Sequence, residues 1–368
     1  MPKKTNEPWR EGLKSSAHRI LPVFKSVPKW TAAAGPQAEL VLSTRIRLAR
    51  NLASYPFPVR ATSEEMARVG DEACEAIAAL HVLPAPVFLD LARLNRFDRA
   101  LLVERRMISP YLKKAYEGSR VVFGAGEFAS IMINEEDHLR LQSFQAGLNI
   151  PAAWRAMQKL DDELSLHLEY AFRPPFGFLT SCPTNTGTGM RVSLLMHLPA
   201  LALLKQMDTI AKEFSKRGIT VRGFYGEGSE ALGNLYQISN QVTLGRSEEH
   251  IMALAEEVAK FMIEFEQKAR EQLLTKQKST LEDQIWRAYG IMRYARQLTS
   301  VELLKLLSIL RLGSDLKLLQ SWPPEWLNRL MLLTQPHHLQ KLHKTGPSSE
   351  KRDEARARFV QEMLKLEN

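Results

Sequence analysis

A turn near the middle of the chain contains residues that could take part in catalysis or ligand binding. It covers residues 180–191, begins near Cys182, ends at Arg191 and is otherwise rich in Thr, Asn and Gly. Such a turn can expose backbone N–H groups and lets a ligand approach the backbone closely. The cysteine and the arginine would place a possible thiolate and a fixed cation around one pocket.

Arginines form a second group of candidates. Arg45 and Arg47 alternate along a predicted strand, so both guanidiniums lie on one face. This face is either simply solvated or clamps a polyphosphate, because arginine offers paired donors to phosphate oxygens. Arg140, Arg191 and Arg222 stand at the ends of further predicted strands.

Acidic residues complete the set. Residues 134–140 place three acids, a histidine and an arginine at a strand end. Either one carboxylate has a raised pKa or binds a cation, or the acids decorate a helix N-terminus. His138 is a weak candidate metal ligand, since no second His or Cys lies at ligand spacing. Glu227 lies in a glycine-rich segment that fits neither a dinucleotide fingerprint nor a Walker A loop.

These clusters together favour phosphoryl transfer from a nucleoside triphosphate to a guanidinium. Catalysis of that transfer is mostly positioning plus cationic stabilisation, which the arginines would supply. Glu136, Glu227 and Cys182 would surround a cationic acceptor whose high pKa requires a nearby base. The signatures of protein kinases and P-loop enzymes are absent from the sequence.

Strands and helices must position these residues. Hydrophobic periodicity predicts strands over residues 40–51, 87–90, 120–124, 129–134, 219–225 and 235–244. It predicts helices over 63–80 with Ser63 as N-cap, 101–114, 151–170, 197–217 and 247–274. Beyond residue 279 only helices are predicted, over 281–297, 301–312, 324–333 and 350–366, with Gly313 ending one of them.

Composition limits the class of protein. The net charge of +9 is concentrated at the two ends, and residues 1–38 are predicted to be a flexible basic leader. Nucleic acid is an unfavoured partner, because no zinc-finger spacing or RNA-binding aromatic motif accompanies the charge. No apolar run reaches the roughly 18–20 residues that span a bilayer, and no secretory signal is seen. Two cysteines favour a cytoplasmic location.

Four motifs, in this order, resemble those of the ATP:guanidino phosphotransferase (phosphagen kinase) family. They are residues 43–47, residues 134–140, residues 182–189 with Arg191, and residues 222–227. The resemblance covers about residues 39–270 and implies an α+β fold with a large, mainly antiparallel sheet flanked by helices. Within the family the chain is similar to protein arginine kinases, because it lacks the N-terminal helical domain of phosphagen kinases and carries a C-terminal helical domain.

The resemblance implies a role for each matching residue. ATP and Mg²⁺ would be the cofactors, with magnesium bridging the phosphates and no metal ligands of the chain's own. Glu136 and Glu227 would clamp the substrate guanidinium, with Glu136 as the base, and Cys182 would contact it as thiolate. The implied ATP-binding residues are Ser43, Thr44, Arg45, Ile46, Arg47, Arg106, Arg140, Arg191, Val192, Ser193, Leu194, Leu195, Arg222, Gly223, Phe224, Tyr225, Gly226 and Glu227. Arg106 departs from the histidine that the family tends to have, although a guanidinium can also stack.

A motif in the last predicted helix resembles the phosphoarginine pocket of protein arginine kinases. It consists of Arg352, Asp353, Glu354, Ala355, Arg356 and Ala357. The resemblance implies a catalytic domain over residues 39–271 and a helical regulatory and dimerisation domain over 279–368. It also implies protein substrates with exposed arginine, a Clp-type unfoldase, an activator protein as a further candidate, a homodimer or larger assembly, and a role in the stress response.

Two alternatives stay open. A kinase of free arginine or another small guanidino compound is disfavoured, because the missing N-terminal domain supplies a substrate-closing loop in phosphagen kinases. A non-catalytic phosphoarginine-binding adaptor is disfavoured because the two glutamates, the cysteine and all five arginines of the motifs are present. No membrane partner is expected.

Overall fold

A computed structural model describes residues 8–20, 27–224, 231–346 and 348–366. Ten strands are assigned there: β1 (Val41–Arg50), β2 (Val87–Asp90), β3 (Arg120–Phe123), β4 (Ala129–Ile133), β5 (Leu139–Ala146), β6 (Phe172–Arg173), β7 (Gly177–Phe178), β8 (Met190–His197), β9 (Ile219–Gly223) and β10 (Leu235–Asn240). Eight of them form one sheet in the order β2-β3-β4-β5-β1-β8-β10-β9, with every neighbouring pair antiparallel. Strands β6 and β7 form a separate small hairpin.

Helices flank this sheet and make up the C-terminal region. The first eight are α1 (Pro8–Lys14), α2 (Ser16–Arg19), α3 (Ser63–Ala78), α4 (Arg96–Glu104), α5 (Ile150–Ser165), α6 (Pro199–Leu203), α7 (Met207–Lys216) and α8 (Glu248–Lys276). The last five are α9 (Lys278–Tyr294), α10 (Ser300–Asp315), α11 (Pro324–Leu333), α12 (Pro336–His343) and α13 (Ser349–Leu366). Helix α5 packs on β1 and β5, and α8 packs on β8. The predicted α+β fold with a helical C-terminal region is confirmed.

Strand β1 lies at the centre of the sheet and sets the direction of its arginines. Ile46 and Leu48 are fully buried, whereas the alternate residues Arg45 and Arg47 are half-buried. Burying each of the two apolar side chains stabilises the fold by about 1.5–3 kcal/mol. Because a shift of one residue would exchange the faces, this burial fixes both guanidiniums on the side opposite the apolar pair.

The C-terminal helices pack directly against the sheet-containing part. Arg311 of α10 donates from Nη2 to the carbonyl of Ala38 at 2.8 Å. The Glu104 carboxylate, at the end of α4, accepts from the backbone N–H groups of His337 and His338, both at 3.0 Å. Burial opposes ionisation of Glu104, but hydrogen bonds from both histidines lower its pKa to about 2. An ionised carboxylate therefore joins α12 to α4.

Several predicted boundaries were wrong. Helix α3 is capped by Thr62, not Ser63, because Thr62 and Glu65 form a reciprocal capping box. The single helix predicted over 197–217 is absent: β8 continues through residue 197, and α6 and α7 are separated at Lys205, whose φ is +56°. Gly313 lies inside α10 rather than at its end. A Cβ there would come within 2.7 Å of Ile285, so the glycine permits close packing of α9 on α10.

The N-terminal segment differs from the flexible leader that was expected. Helices α1 and α2 form there, and α1 packs on β2 with Trp9 and Leu13 buried. Trp30, in a short 3-10 turn, is also buried. These apolar side chains pack the basic segment against the sheet. Its many prolines had instead suggested a flexible leader. Within the described part of the chain, no helix is both long and apolar enough to cross a bilayer.

Candidate active site

A cavity of about 490 Å³ beside β1 is lined at one end by Arg45, Arg47 and Arg140. The first two come from β1, and Arg140 comes from the neighbouring strand β5. Burial, followed by repulsion from nearby arginines, lowers the pKa of Arg45 and of Arg47 well below the usual value. The Nε atoms of Arg45 and Arg47 are buried and make no hydrogen bond. Crowded, buried guanidiniums of this kind fit a polyphosphate, which supplies negative charge and acceptors.

Arg191 and Arg222 line a second, smaller cavity of about 130 Å³ beside the cysteine turn. Arg191 pairs with Arg47 across β1 and β8, and its Nη2 donates to the Ser239 hydroxyl at 2.9 Å. Arg222 lies on β9. The five predicted arginines therefore lie in one sheet but open on two cavities: four come from the adjacent strands β5, β1 and β8, and Arg222 comes from β9, beyond β10.

The other predicted ATP-binding residues fall into three groups. Arg106 and Phe224 line the larger arginine cavity. Gly223 ends β9, while Ser43, Thr44, Ile46, Val192, Ser193, Leu194 and Leu195 are buried strand residues of β1 and β8 that line neither arginine cavity. Tyr225, Gly226 and Glu227 lie outside the described residues.

Arg106 occupies the position where the family tends to have histidine. Its backbone is left-handed, with φ of +64°, and its carbonyl accepts from Gln142 Nε2 at 2.7 Å. Its guanidinium carbon lies 3.9 Å from the ring centre of Phe224 and 5.4 Å from that of Trp30. Stacking between aromatic rings holds this cation at the cavity wall.

Sequence reasoning missed much of the wall of this cavity. Trp30 and Gln237 line it, and Gln237 accepts from Arg45 Nη2 at 3.0 Å. The C-terminal helices add Met331, Leu332, Gln335 and Pro336. The apolar pattern of residues 324–333 indicates only a buried helix, and no signal in the sequence assigns that helix to a nucleotide cavity.

The acidic loop between β4 and β5 faces a third cavity, of about 650 Å³, lined by Glu135, Glu136 and Ser181 among others. Glu135 accepts from Arg140 Nη1 at 2.5 Å, so this ion pair lies between the arginine cavity and the acidic cavity. Burial, and then the charge of Asp137, raises the pKa of Glu136. A carboxylate with a raised pKa is a stronger base, as proton removal from a guanidinium requires.

Cys182 lies beside this carboxylate. Its thiol is not in a disulfide and is partly buried, and its Sγ is 3.0 Å from the Thr184 hydroxyl. It is also near enough to Glu136 to oppose, in part, the rise in the pKa of that carboxyl. The predicted catalytic pair, Glu136 and Cys182, is therefore brought together at one edge of the acidic cavity.

Asp137 and His138 serve the architecture of the site. The Asp137 carboxylate accepts from Asn51 Nδ2 and from the backbone N–H of Ser181, both at 2.7 Å, and so ties the cysteine turn to β1. His138 Nδ1 accepts from the Leu52 N–H at 3.1 Å, and burial lowers the pKa of His138 to about 4. The imidazole is thus a neutral structural group.

The described residues contain no cluster of three or more His, Cys, Asp or Glu side chains placed to hold a metal ion. The donors in the large arginine cavity are instead guanidiniums, which fit phosphate oxygens. A magnesium ion that accompanies a nucleotide would therefore be held chiefly by phosphate oxygens and water.

The predicted phosphoarginine motif lies in α13, where its two arginines have different surroundings. Arg356 is buried and donates to the carbonyls of Thr334 at 2.9 Å and Leu298 at 2.6 Å, and to the Asp353 carboxylate. Arg352 and Glu354 are half-buried, and Ala355 and Ala357 are buried. The Arg356 side chain therefore anchors α13 to the end of α11 and to the segment before α10.

Comparison with known proteins places this site in a family. Residues 69–269 match the ATP:guanido phosphotransferase C-terminal catalytic domain, and residues 278–368 match the McsB protein-arginine kinase C-terminal domain. The chain belongs to the ATP:guanido phosphotransferase family. This phosphotransferase is therefore an ATP-dependent enzyme, and the resemblance drawn from its motifs is confirmed.

Relatives of this phosphotransferase cover almost its whole length. A Shouchella clausii protein named protein-arginine kinase is 42% identical, covering 93% of this chain and 96% of the relative. A Moorella thermoacetica protein of the same name is 44% identical, covering 91% and 97%. The structure of a duplicated taurocyamine kinase from Schistosoma mansoni with bound transition state analog components has a TM-score of 0.58 and 28% identity, and the match covers 67% of this chain and 35% of that one. A lombricine kinase structure, 24% identical with a TM-score of 0.56 and coverages of 66% and 71%, shares the fold.

Proposed function

We propose that this phosphotransferase is a protein arginine kinase, which transfers the ATP γ-phosphoryl group to arginine side chains of proteins. The observation that carries the proposal is the Glu135–Arg140 ion pair, which joins a cationic cavity to an acidic one. Phosphate and guanidinium, of opposite charge, would meet at this junction. The names of the full-length relatives support arginine in proteins as the acceptor.

Each side of the junction has its own task. Arg45, Arg47 and Arg140 hold the triphosphate and offset the charge that develops on the transferred group. Glu136 and Cys182 orient the guanidinium, and Glu136 removes the proton from the attacking nitrogen. A nitrogen–phosphorus bond then forms as the bond from phosphorus to the ADP oxygen breaks. Glu227 is proposed as a second residue that binds the guanidinium. Magnesium would bind the phosphates of the nucleotide.

The C-terminal helices supply regulation in this proposal. In it, the α13 motif binds phosphoarginine. The chain divides into a leader over 1–38, a catalytic domain over 39–271 and a regulatory domain over 279–368. Proteins that carry phosphoarginine are passed to a Clp-type protease during stress. Trp286 on α9 and Phe261 and Phe265 on α8 are 54%, 39% and 40% exposed, which supports a homodimer formed through these helices. A cytoplasmic location agrees with two free cysteines.

Labelled ATP with magnesium, offered to a loosely folded protein such as casein or to free arginine, tests the proposal. Acid-labile, alkali-stable label on protein, with none on free arginine, is the expected result. Efficient labelling of free arginine alone would instead assign a small-molecule guanidino kinase. Phosphoarginine binding without any label on either acceptor would assign a non-catalytic adaptor.

A further inference from the structure

The acidic cavity extends well beyond the place of the guanidinium. Glu136 and Ser181, which lie next to Cys182 along the chain or in space, line one part of it, and Pro58, Val59 and Tyr111 line another part, which we call the outer wall. Its volume of about 650 Å³ exceeds what one arginine side chain fills, because cavities of roughly 300–1,000 Å³ hold whole drug-sized ligands. The outer part therefore has room for a second group of the same substrate.

The outer wall of this cavity is apolar and open to solvent. Val59 is 80% exposed and Tyr111 is 52% exposed, although both are large apolar side chains. Met66, from the first turn of α3, also lines this part. Glu117 and Glu136 are exposed and Glu135 is buried. All three carboxylates line the cavity, which therefore disfavours acidic ligands.

A buried hydrogen-bond network fixes this wall to the catalytic loop. Asn134 is fully buried, and its Nδ2 donates to the carbonyls of Met66 at 2.7 Å and Gly118 at 2.9 Å. The Tyr116 hydroxyl donates to the carbonyls of Asn134 and Glu135. Met66, Gly118 and Tyr116 are thereby held to the loop that carries Glu136. The ring of Tyr116 in turn contacts that of Tyr111, with the ring centres 6.5 Å apart.

We infer that the outer part of the acidic cavity binds an apolar or aromatic side chain two residues away from the target arginine in the substrate polypeptide. This inference rests on the proposed function. In an extended chain, side chains alternate in direction, so residues i and i±2 lie on one side about 6.6 Å apart. With the target guanidinium at Glu136, the side chain two residues away contacts Val59 and Tyr111, whereas the immediate neighbour points outward.

A series of peptides with one arginine in a glycine and serine background tests this inference with the full chain, ATP and magnesium. Leucine or phenylalanine is placed two residues before, two residues after or directly beside the arginine. We expect a gain in kcat/KM of about tenfold for one of the two-residue spacings, because half-burial of such a side chain supplies that factor. No gain should appear for the adjacent position.

Variants of the enzyme assign the gain to this wall. Tyr111→Ala should reduce the preference ratio to about 2 or less, by loss of buried apolar area. Leu166→Ala removes an 80% exposed apolar side chain from the end of α5 and should keep the full ratio. Equal turnover of all peptides, or an unchanged ratio in Tyr111→Ala, would overturn the inference while leaving the kinase activity on proteins standing. Turnover of free arginine without any peptide would overturn the proposed function and the inference together.

Discussion

A substitution of Arg356 in α13 tests whether this residue anchors the helix or binds a ligand. Its guanidinium satisfies two buried backbone carbonyls, those of Thr334 and Leu298, and neutralises Asp353. Arg356→Ala removes both donors and leaves the carbonyls buried. At about 1–3 kcal/mol for each of the two unsatisfied acceptors, we expect the free energy of unfolding of the C-terminal helices to fall by about 2–6 kcal/mol. Thr334 is followed by Gln335 and Pro336, which line the larger arginine cavity. If ATP binds there as proposed, KM for ATP should also rise.

Differential scanning calorimetry and hydrogen exchange of α13 measure this effect. Arg352→Ala is the matched control, since Arg352 is half-buried one turn earlier on the same helix and its loss should cost less than about 1 kcal/mol. An Arg356→Ala protein that melts like the parent and protects α13 equally, while losing its response to phosphoarginine, would refute the anchor and make Arg356 a ligand-binding group alone.

Three further outcomes follow from the site. Glu136→Ala should reduce kcat at least about 100-fold, while the affinity for ATP, measured by calorimetry, stays close to that of the parent. In the parent, turnover should decline as the pH falls through the raised pKa of Glu136. A near-normal rate in the variant would show that Glu136 is not the base. Arg106→Ala should raise KM for ATP several-fold, and Arg106→His should restore most of it by stacking on Phe224, whereas equal defects would exclude a stacking role. The unfolded state protonates His138 near pH 6.5 and the folded state near pH 4, so stability is lost as the pH falls through this window. The stability gap between parent and His138→Gln should shrink there by up to about 3 kcal/mol in urea titrations, and a constant gap would contradict the buried neutral imidazole.

Local patterns predicted six strands of the eight-stranded sheet but missed β5 and β8, the two neighbours of β1, and they predicted the walls of the cavities poorly. The alternation of Arg45 and Arg47 with apolar residues was sufficient to place both on one face of β1, because the period of a strand is two. The pairing of Arg47 with Arg191, and of Ala49 with Arg140, depends on strand order, which spacing along the chain does not contain. The resemblance to a family predicted a large, mainly antiparallel sheet, and the structure gives the order of its strands.

The larger arginine cavity has walls that the sequence does not predict. Trp30 and Met331 lie about three hundred residues apart in sequence and meet at the same cavity through tertiary packing. Their apolar character predicts burial and nothing more. The single helix predicted over 197–217 failed for a different reason: the backbone of Lys205 is left-handed, which separates α6 from α7, and the side-chain pattern does not reveal this break.

Phosphorus NMR of a modified protein substrate, combined with mass spectrometry of its peptides, tests the central claim most directly. The Glu135–Arg140 junction predicts a phosphorus–nitrogen product on arginine side chains, formed in proportion to ADP. A phosphate ester on serine, threonine or tyrosine, or ADP release without any phosphorylated arginine, would contradict the transfer of phosphate across this junction to a guanidinium.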